Sequence, residues 1–215
     1  MVGRGKLGRV TKLPLTRIKA TAEKADAIRD AVRRVSFPAD GRRRLGAVED
    51  APAFLALIAD PSVSGPIYTL PKPPTLDGAR AFIARHADER ARGEGLLILE
   101  FDENGAVAGY HDIQFWPEWS ACELGGAIRP DRQGEGRGGA GAAAAFDWLF
   151  DAIGVDLICE TAALDNLRTQ KLLKRIGFRC IGEIESDLPQ GGVRPSLYFE
   201  LTRAERDQRR SSTIG

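Results

Sequence analysis

The most chemically distinctive stretch of the chain is the glycine-rich run QGEGRGGA, residues 133–140, which leads into the alanine-rich run GAAAAFDWLF. Glycines let backbone N–H groups come close to a bound anion, because no Cβ stands in the way. A helix that begins directly after such a run adds the positive end of its dipole. The types and spacing of these residues therefore predict a phosphate-binding loop in front of a helix at about 139–153.

Two signatures fit this loop, and the first is the dinucleotide fingerprint Gly134-x-Gly136-x-x-Gly139. That fingerprint follows a buried parallel strand directly, usually at the start of its domain. Here a polar stretch, 130–133, intervenes, and the strands before it are joined by a tight Asn104-Gly105 turn typical of an antiparallel hairpin. No acidic residue lies clearly at the end of a second strand about 20 positions on. A nicotinamide-binding Rossmann protein is therefore only a remote alternative.

The second signature, Gln133-x-x-Gly136-x-Gly138, is strengthened by another block further along the chain, ALDNLRTQKLLKRIGFRCIGEI at 163–184. The motif positions of that block are Asn166, Thr169, Gly177 and Phe178. In type, order and spacing the two blocks together resemble the GNAT superfamily of N-acetyltransferases. The stretches IADPSV and ACELGGAIRPDRQGEGRGGAGAAAAF are similar to the branch that acetylates ribosomal-protein N-termini, the RimJ/RimL-like enzymes.

The resemblance implies an α+β fold with mixed α/β connections. Its central sheet is mixed and mostly antiparallel, helices flank it, and one splayed pair of strands holds the cofactor. We expect a domain at 45–202, preceded by an extension at 1–44 with a basic leader and a strand or helix. The polar tail at 203–215 is expected to be frayed.

Hydrophobic periodicity places the individual elements. We expect a strand at 13–20 and then helices at 21–34, 48–59 and 75–92, with Thr75 as N-cap and Gly93 as terminator. After these helices, strands are expected at 96–101, 106–115, 121–128, 155–162, 179–185 and 196–201, with a helix at 166–176.

The resemblance implies that acetyl-coenzyme A is the acyl donor and assigns residues to hold it. The implied cofactor-binding residues are Ala127, Ile128, Arg129, Gln133, Gly134, Gly136, Arg137, Gly138, Gly139, Asn166, Arg168 and Lys171. In the first three the backbone pairs with the pantetheine arm, and a backbone N–H there polarises the thioester carbonyl. For the charged residues a solvated surface role is the alternative, and for Asn166 the alternative is capping the next helix.

The implied reaction is direct attack of an amine on the thioester, which needs a base, an oxyanion donor and an acid for the thiolate. Glu123 is the first candidate base, because neighbouring apolar residues would desolvate its carboxyl group. His111 is a second candidate, and Glu185 and Asp187 are outside candidates. Many relatives have a Tyr as the acid where this chain has Leu173. Thr169 is therefore the expected thiolate partner, with water as the alternative.

The composition sets wider limits on function. A net charge of +1 and 28% charged residues are ordinary for a globular protein and indicate neither direct nucleic-acid binding nor a membrane surface. Residues 1–20 are basic, as a solvated leader or an arm for an anionic partner. Without a signal sequence or apolar span, the chain is expected to be cytoplasmic.

The residues also limit cofactors and partners. Three cysteines in apolar segments predict buried free thiols, and two histidines are too few to predict a metal site. The expected partners are acetyl-coenzyme A and an amine acceptor, either a protein N-terminus or a small amine such as a polyamine or an antibiotic. A non-catalytic acyl-coenzyme A-binding module is the other alternative. The chain is expected to be a monomer or a homodimer.

Overall fold

The structure, a computed structural model, describes residues 6–10, 13–39, 41–132, 137–188 and 191–214. The α-helices in these ranges are α1 (Ala22–Arg34), α2 (Ala51–Ile58), α3 (Pro61–Ser64), α4 (Leu76–Arg92), α5 (Arg137–Trp148), α6 (Leu167–Ile176) and α7 (Arg203–Ile214). The strands are β1 (Lys6–Val10), β2 (Arg43–Leu45), β3 (Gly95–Phe101), β4 (Val107–Trp116), β5 (Ala121–Ile128), β6 (Leu157–Ala163), β7 (Arg179–Asp187) and β8 (Val193–Thr202).

All the strands belong to one sheet in the order β1-β7-β8-β6-β5-β4-β3-β2. The pairs β1–β7 and β5–β6 are parallel, and the remaining neighbours are antiparallel. Helices flank this sheet, so the predicted α+β fold with a mixed, mostly antiparallel sheet is confirmed.

The sheet opens in its middle, between β5 and β6. The two strands are in register only at Ala121 with Leu157 and at Cys122 with Ile158. Beyond these pairs the ladder ends, and the Leu124 N–H donates instead to the Glu160 carboxylate, over 3.0 Å. A backbone donor that has left its ladder needs another acceptor, and here an acidic side chain supplies it. The predicted splayed pair of strands is therefore present.

Both faces of the sheet are covered, as the alternation along β3 requires. Leu96 and Ile98 belong to the main core cluster, which α1 and α5 complete with Ile28, Val32 and Phe146. The intervening strand residues, Leu97 and Leu99, point the other way and join a second cluster with Phe54 of α2 and Phe82 of α4. Burying each large apolar side chain contributes about 1.5–3 kcal/mol to folding.

A third, smaller cluster lies on the same face as the second. It contains Cys159, Ile184 and Tyr198, with Trp116 packed against it. Trp116 and Tyr110 of the second cluster are both at even positions of β4, and side chains two apart in a strand share a face. Between the two clusters this face has a gap, which lies over the β5–β6 split.

The helix termini follow the local sequence. The Thr75 side chain accepts a hydrogen bond from the Gly78 N–H at 3.1 Å, and so caps α4. The helix ends at Gly93, whose φ of 75° is the left-handed conformation that glycine favours. Thr21 caps α1 in the same way, over 3.2 Å to the Lys24 N–H. The predicted roles of Thr75 and Gly93 are confirmed, and the Thr21 cap is a further feature that the structure shows.

The segment before α1 differs from its prediction. Residues 13–20 do not form the expected strand, because their backbone bonds to side chains and a loop and not to a neighbouring strand. The Leu15 N–H donates to the Tyr198 hydroxyl at 3.0 Å, and the Ala20 N–H to the Glu118 carbonyl at 2.9 Å. Since α1 contributes to the main core, the predicted domain boundary at residue 45 stays a prediction.

The expected frayed tail is wrong for its described part, because residues 203–214 form α7. The Arg206 guanidinium is buried and ion-pairs with Asp147 of α5 and with Asp151, which ties the helix to the domain. The thiols of Cys122 and Cys159 are buried as predicted, but Cys180, at the start of β7, is exposed. Within the described ranges, no helix has the length and apolar character needed to cross a bilayer.

Candidate active site

A cleft of about 800 Å³ occupies the gap on the second face of the sheet. Its walls come from the loop at 66–71, from α4, from β4, β5 and β6, from the start of α6 and from Arg194 in β8. The β5–β6 split therefore lies inside a cavity of the size of small-molecule sites.

Glu123 lies in this cleft and is half-buried. The Thr161 hydroxyl, across the split, donates to one of its carboxylate oxygens at 2.9 Å. Burial raises the pKa of Glu123 to about 7, with a further rise from the charge of Asp112 and an opposing effect of the Thr161 hydrogen bond. A carboxyl group in this range exchanges a proton near neutral pH. Glu123 thus lies in the cleft with a raised pKa, and its role as the base stays a prediction.

Glu160 is a second carboxyl group in the cleft, which sequence reasoning did not assign to the active site. It is buried and accepts the Leu124 N–H described above. Burial raises its pKa well above the ordinary value, and the charge of Glu123 raises it further. Two like charges this close disfavour each other's ionisation. The second proton of this pair is therefore lost only above the pH range in which ordinary carboxyl groups ionise.

Asp112 is the third acid of the cleft, and a buried histidine holds it. His86 Nε2 lies 2.8 Å from Asp112 Oδ1, while His86 Nδ1 lies 2.8 Å from the Phe82 carbonyl oxygen. Both partners accept hydrogen bonds, so with Asp112 ionised the ring must carry both protons. Burial lowers the pKa of His86, but the hydrogen bond and charge of Asp112 outweigh it and the pKa is raised. The ring fixes one oxygen of Asp112 at the cleft wall.

Tyr68 and Arg194 also line the cleft, close enough to Glu123 for their charges to interact with it. The Arg194 guanidinium lies over the Tyr68 ring, 4.1 Å from its centroid, as in a cation–π contact. Burial and the charge of Glu123 both raise the pKa of Tyr68, so its phenol keeps its proton. Neither residue was predicted, and no spacing in the sequence connects a loop before α4 with the start of β8.

The other end of the cleft exposes the edge of β5. The Leu124 N–H points towards β6, and N–H groups two residues apart in a strand point the same way. The amides of Gly126 and Ile128 therefore face the split. The Arg129 N–H donates to the Ala108 carbonyl in β4 at 2.8 Å, so this amide and that of Ala127 face away from it. Three residues were predicted to pair with the pantetheine arm through their backbone: Ala127, Ile128 and Arg129. Of these, only Ile128 has an N–H that faces the split, and the N–H of Gly126 faces it as well.

Gly126 allows the strand its position there. Its φ is +156°, and a Cβ at this residue would lie 2.3 Å from the Tyr110 carbonyl oxygen. Any side chain would push β5 away from β4. The glycine is therefore a requirement of the split strand itself.

Asn166 and Thr169 lie together where β6 passes into α6, and both line the cleft. The Asn166 side-chain oxygen accepts the Thr169 N–H at 3.1 Å, which is the predicted N-cap. That oxygen is engaged by the helix, so the Asn166 amide NH₂ is the group left to contact a ligand. Whether it does so stays a prediction, as does the role of the Thr169 hydroxyl.

Several predicted cofactor residues are not in the described part of the cleft. Gln133, Gly134 and Gly136 lie outside the described residues. Arg137 and Gly138 open α5, and a Cβ on Gly139 would meet the Arg175 guanidinium of α6 at 2.1 Å. Arg168 and Lys171 are exposed on α6. For these residues phosphate binding stays a prediction.

His111 lies on the other face of the sheet, because it is an odd position of β4 while Asp112 faces the cleft. Its Nε2 lies 3.2 Å from Glu100 Oε1, and this hydrogen bond is the main reason that the pKa of Glu100 falls to about 2. The structure therefore does not bring His111, the second candidate base, into the cleft. Glu185 and Asp187 are exposed on β7 and are not among the residues lining it.

Position 173, where a tyrosine acid is common, is filled by a leucine of the main core that is 2% exposed. The motif residue Phe178 also packs in this core, against Phe146 at 4.9 Å between ring centroids. One missed residue did have a signal: Ala79, Phe82, Ile83 and His86 follow helical spacing and mark His86 as buried. No group of acidic, histidine and cysteine residues within the described ranges is arranged to hold a metal ion.

Comparison with known families identifies the class of protein to which this fold and cleft belong. The family model described as an acetyltransferase (GNAT) domain matches residues 43–179. The match covers more than half of the chain, so the protein belongs to the GNAT acetyltransferases. The predicted family and enzyme class are confirmed.

Solved structures with the same fold include several named acetyltransferases. Ribosomal-protein-S5-alanine acetyltransferase from Vibrio fischeri is 18% identical with a TM-score of 0.64, over 78% of this chain and 96% of that one. Mycobacterium smegmatis RimJ in complex with CoA-disulfide has 18% identity and a TM-score of 0.64, over 76% and 82%. Spermidine N-acetyltransferase from Vibrio cholerae, with CoA and spermine, has 16% identity and a TM-score of 0.62, over 76% and 96%. A search of curated protein sequences finds no match.

Proposed function

We propose that the protein transfers the acetyl group of acetyl-coenzyme A to the primary amine of a protein N-terminus or peptide, by direct attack in a ternary complex. The observation that carries this proposal is the cleft at the β5–β6 split, with Glu123 inside it. One continuous cavity reaches both an exposed strand edge and a carboxyl group that titrates near neutrality. A donor and an acceptor can thus meet there.

The donor end fits an extended, amide-rich chain such as the pantetheine arm. The β5 edge has lost its ladder beyond Cys122, and strand-like pairing is how an extended ligand satisfies such an edge. The Gly126 N–H points into the split, where it can donate to the thioester carbonyl. Asn166, at the end of β6, can donate its amide NH₂ to the arm. The glycine-rich loop at 133–139 and the start of α5 would take the diphosphate.

The acceptor end supplies proton transfer. When bound, acetyl-coenzyme A provides an activated thioester, and this chain provides the groups that handle protons. An amine arrives mostly as an ammonium ion and must lose a proton before it attacks. Glu123, with a pKa of about 7, can accept that proton, while the Thr161 hydroxyl holds its orientation. Asp112, fixed by His86, attracts the ammonium ion to the same wall.

Protonation of the leaving thiolate has no tyrosine at position 173 to perform it. The Thr169 hydroxyl, at the start of α6 and in the cleft, is the proposed partner. Water that enters the open end of the cleft is the alternative donor.

A small polycation is the second candidate acceptor. Three carboxyl groups, those of Asp112, Glu123 and Glu160, line the cleft and could bind successive amines. Against this, each already has a hydrogen-bond partner in the protein. A third possibility, a binding module without catalysis, would be consistent with the absent tyrosine.

Two measurements test the proposal. Calorimetry should detect acetyl-coenzyme A binding that coenzyme A displaces, and an absence of both would end the donor assignment. A thiol-release assay should then give turnover with short peptides that have a free N-terminus, above that with N-acetylated controls or spermidine. Preference for spermidine would move the acceptor to polyamines. Clear binding without turnover on any amine would favour the non-catalytic module.

A further inference from the structure

Most of the charged side chains in the cleft already have a partner in the protein. Asp112 is held by His86 at 2.8 Å, and Glu123 by the Thr161 hydroxyl at 2.9 Å. Glu160 holds the Leu124 N–H at 3.0 Å, and Arg85 pairs with Glu89 at 2.9 Å. The three acidic groups and Arg85 thus each have a partner within the protein.

Arg194 is different. Across the described residues its guanidinium makes no hydrogen bond and no ion pair, and its Nε is fully buried. It stacks on the Tyr68 ring, which sets the plane of the guanidinium but offers no acceptor to its N–H donors. A buried donor without a partner is rare in native proteins and requires an explanation. A ligand that brings the acceptor atoms is the simplest one.

The position of Arg194 defines what such a ligand must be. Both Arg194 and Glu123 line the cleft, and the positive charge of Arg194 acts on the Glu123 carboxyl group. An ammonium ion that approaches Glu123 and Asp112 is therefore repelled by Arg194 unless the same molecule carries a negative group. A planar carboxylate matches the fork of a guanidinium through two parallel hydrogen bonds.

We propose that Arg194 binds a carboxylate of the acceptor, so that the preferred substrate is a peptide with an acidic side chain within its first three residues. This inference rests on the proposed function and adds the chemical class of the acceptor. Tyr68 holds the guanidinium plane, Asp112 and Glu123 take the amine, and Arg194 takes the acid. The acceptor site is then bipolar, with one positive and two acidic side chains in the same cleft.

Binding of reaction products tests this without relying on turnover. N-acetylated hexapeptides with Asp at position 1, 2 or 3, and their Asn counterparts, are titrated by calorimetry into the protein saturated with coenzyme A. The wild type should bind the best Asp peptide about tenfold more tightly than its Asn counterpart, the effect of one charge-assisted pair. Arg194→Gln should remove this difference and change the affinity for the Asn peptide less than about twofold.

Two further variants serve as controls. Arg85→Gln removes a cleft arginine that already has a partner, and it should keep the preference for Asp. Arg194→Lys keeps the charge without the planar fork, and should keep only part of it. Thermal melting establishes that each variant is folded.

Other results would overturn the inference. These are equal affinities for the Asp and Asn peptides, no binding of either, or equal weakening of both by Arg194→Gln. Weaker coenzyme A binding in Arg194→Gln with an unchanged Asp preference would assign Arg194 to the donor, and also overturns it. Thiol release with neutral peptides would leave the proposed function intact in each of these cases.

Discussion

The two ends of the cleft are built in different ways. At the donor end most of the groups assigned to the cofactor belong to the backbone, joined by the side chains of Asn166 and Thr169, and they come from the stretches β5 to α5 and β6 to α6. At the acceptor end the working groups are side chains, and Tyr68, His86, Asp112, Glu123 and Arg194 come from five separate segments. The donor end is local in sequence, whereas the acceptor end exists only after the sheet has formed.

This difference has a physical cause. Backbone amides are the same in every residue, so a site made from them needs only glycines and a split strand, and both leave a pattern in the sequence. Side chains bring charge and shape, which must suit one acceptor. The comparison therefore predicts that variants at the donor end alter affinity for coenzyme A, and that variants at the acceptor end alter rate, pH dependence and choice of amine.

The largest expected effect is that of Glu123→Gln. Loss of a general base costs about 10²–10⁴-fold in rate, so kcat should fall by at least about 10²-fold while coenzyme A affinity stays unchanged. In the wild type kcat/KM should rise with pH up to about 7, the pKa of Glu123, and then level off. Assays that follow the released thiol with a chromogenic reagent between pH 5 and 9 measure kcat of the variant and the pH dependence of kcat/KM in the wild type.

A control for Glu123→Gln is Thr161→Val, which removes the hydroxyl and keeps the carboxyl group. Since the Thr161 hydrogen bond lowers the pKa of Glu123, this variant should shift the pH profile upwards. If the Glu123→Gln enzyme keeps the wild-type kcat, Glu123 is not the base and another group accepts the proton.

His86→Gln is expected to have the next largest effect. It leaves Asp112 without its charged partner, and unfolding free energy should fall by about 1–3 kcal/mol. The pKa of His86 is raised in the folded state. Its contribution to stability is therefore full below the pKa of unfolded histidine and is lost as pH rises through the higher folded value. Urea unfolding between pH 5 and 9 measures this loss.

Asp112→Asn and the double variant complete a cycle with His86→Gln. If the two residues act as a pair, the single effects should not add. A pH-independent difference between wild type and His86→Gln would contradict a charged His86.

At the donor end, Asn166→Asp separates the two roles of this residue. An aspartate still accepts the Thr169 N–H and caps α6, so stability should be unchanged. It has no amide NH₂ to donate, and the Kd for acetyl-coenzyme A should rise about tenfold, the loss of one hydrogen bond in a binding site. Calorimetry compares it with Asn166→Ala, which should also lose about 1 kcal/mol of stability. If Asn166→Asp binds acetyl-coenzyme A with wild-type affinity, the only role of Asn166 is to cap α6.

The smallest effect is expected for His111→Gln, on the face away from the cleft. The pKa of Glu100 is lowered to about 2 by the His111 hydrogen bond, burial opposing it. The contribution of the ionised Glu100 to folding stability is present above the ordinary carboxyl pKa and is lost as pH falls through about 2. The variant should lose less than about 1 kcal/mol at neutral pH, with kcat and its pH profile unchanged. A large fall in kcat would return His111 to the catalytic candidates.

Local sequence rules account for much of the fold. The caps Thr75 and Asn166, the end of α4 at Gly93 and the apolar run of β3 were readable because each depends on neighbours within a few residues. Predictions failed where the partner was distant. Residues 13–20 bond to β8 and a loop, and 203–214 form a helix because a buried Arg206 meets acids some 55 residues earlier.

The sequence by itself determined the family, the mixed sheet and Glu123 as the candidate base. Glycine spacing, strand periodicity and an acid flanked by apolar residues are local patterns that can be recognised without the structure. Only the tertiary structure decided which face His111 occupies, that His86 holds Asp112, and that Arg194 lies over Tyr68 without a partner. Those relations join elements far apart in sequence, and the strand register, not local propensity, sets which side chains meet.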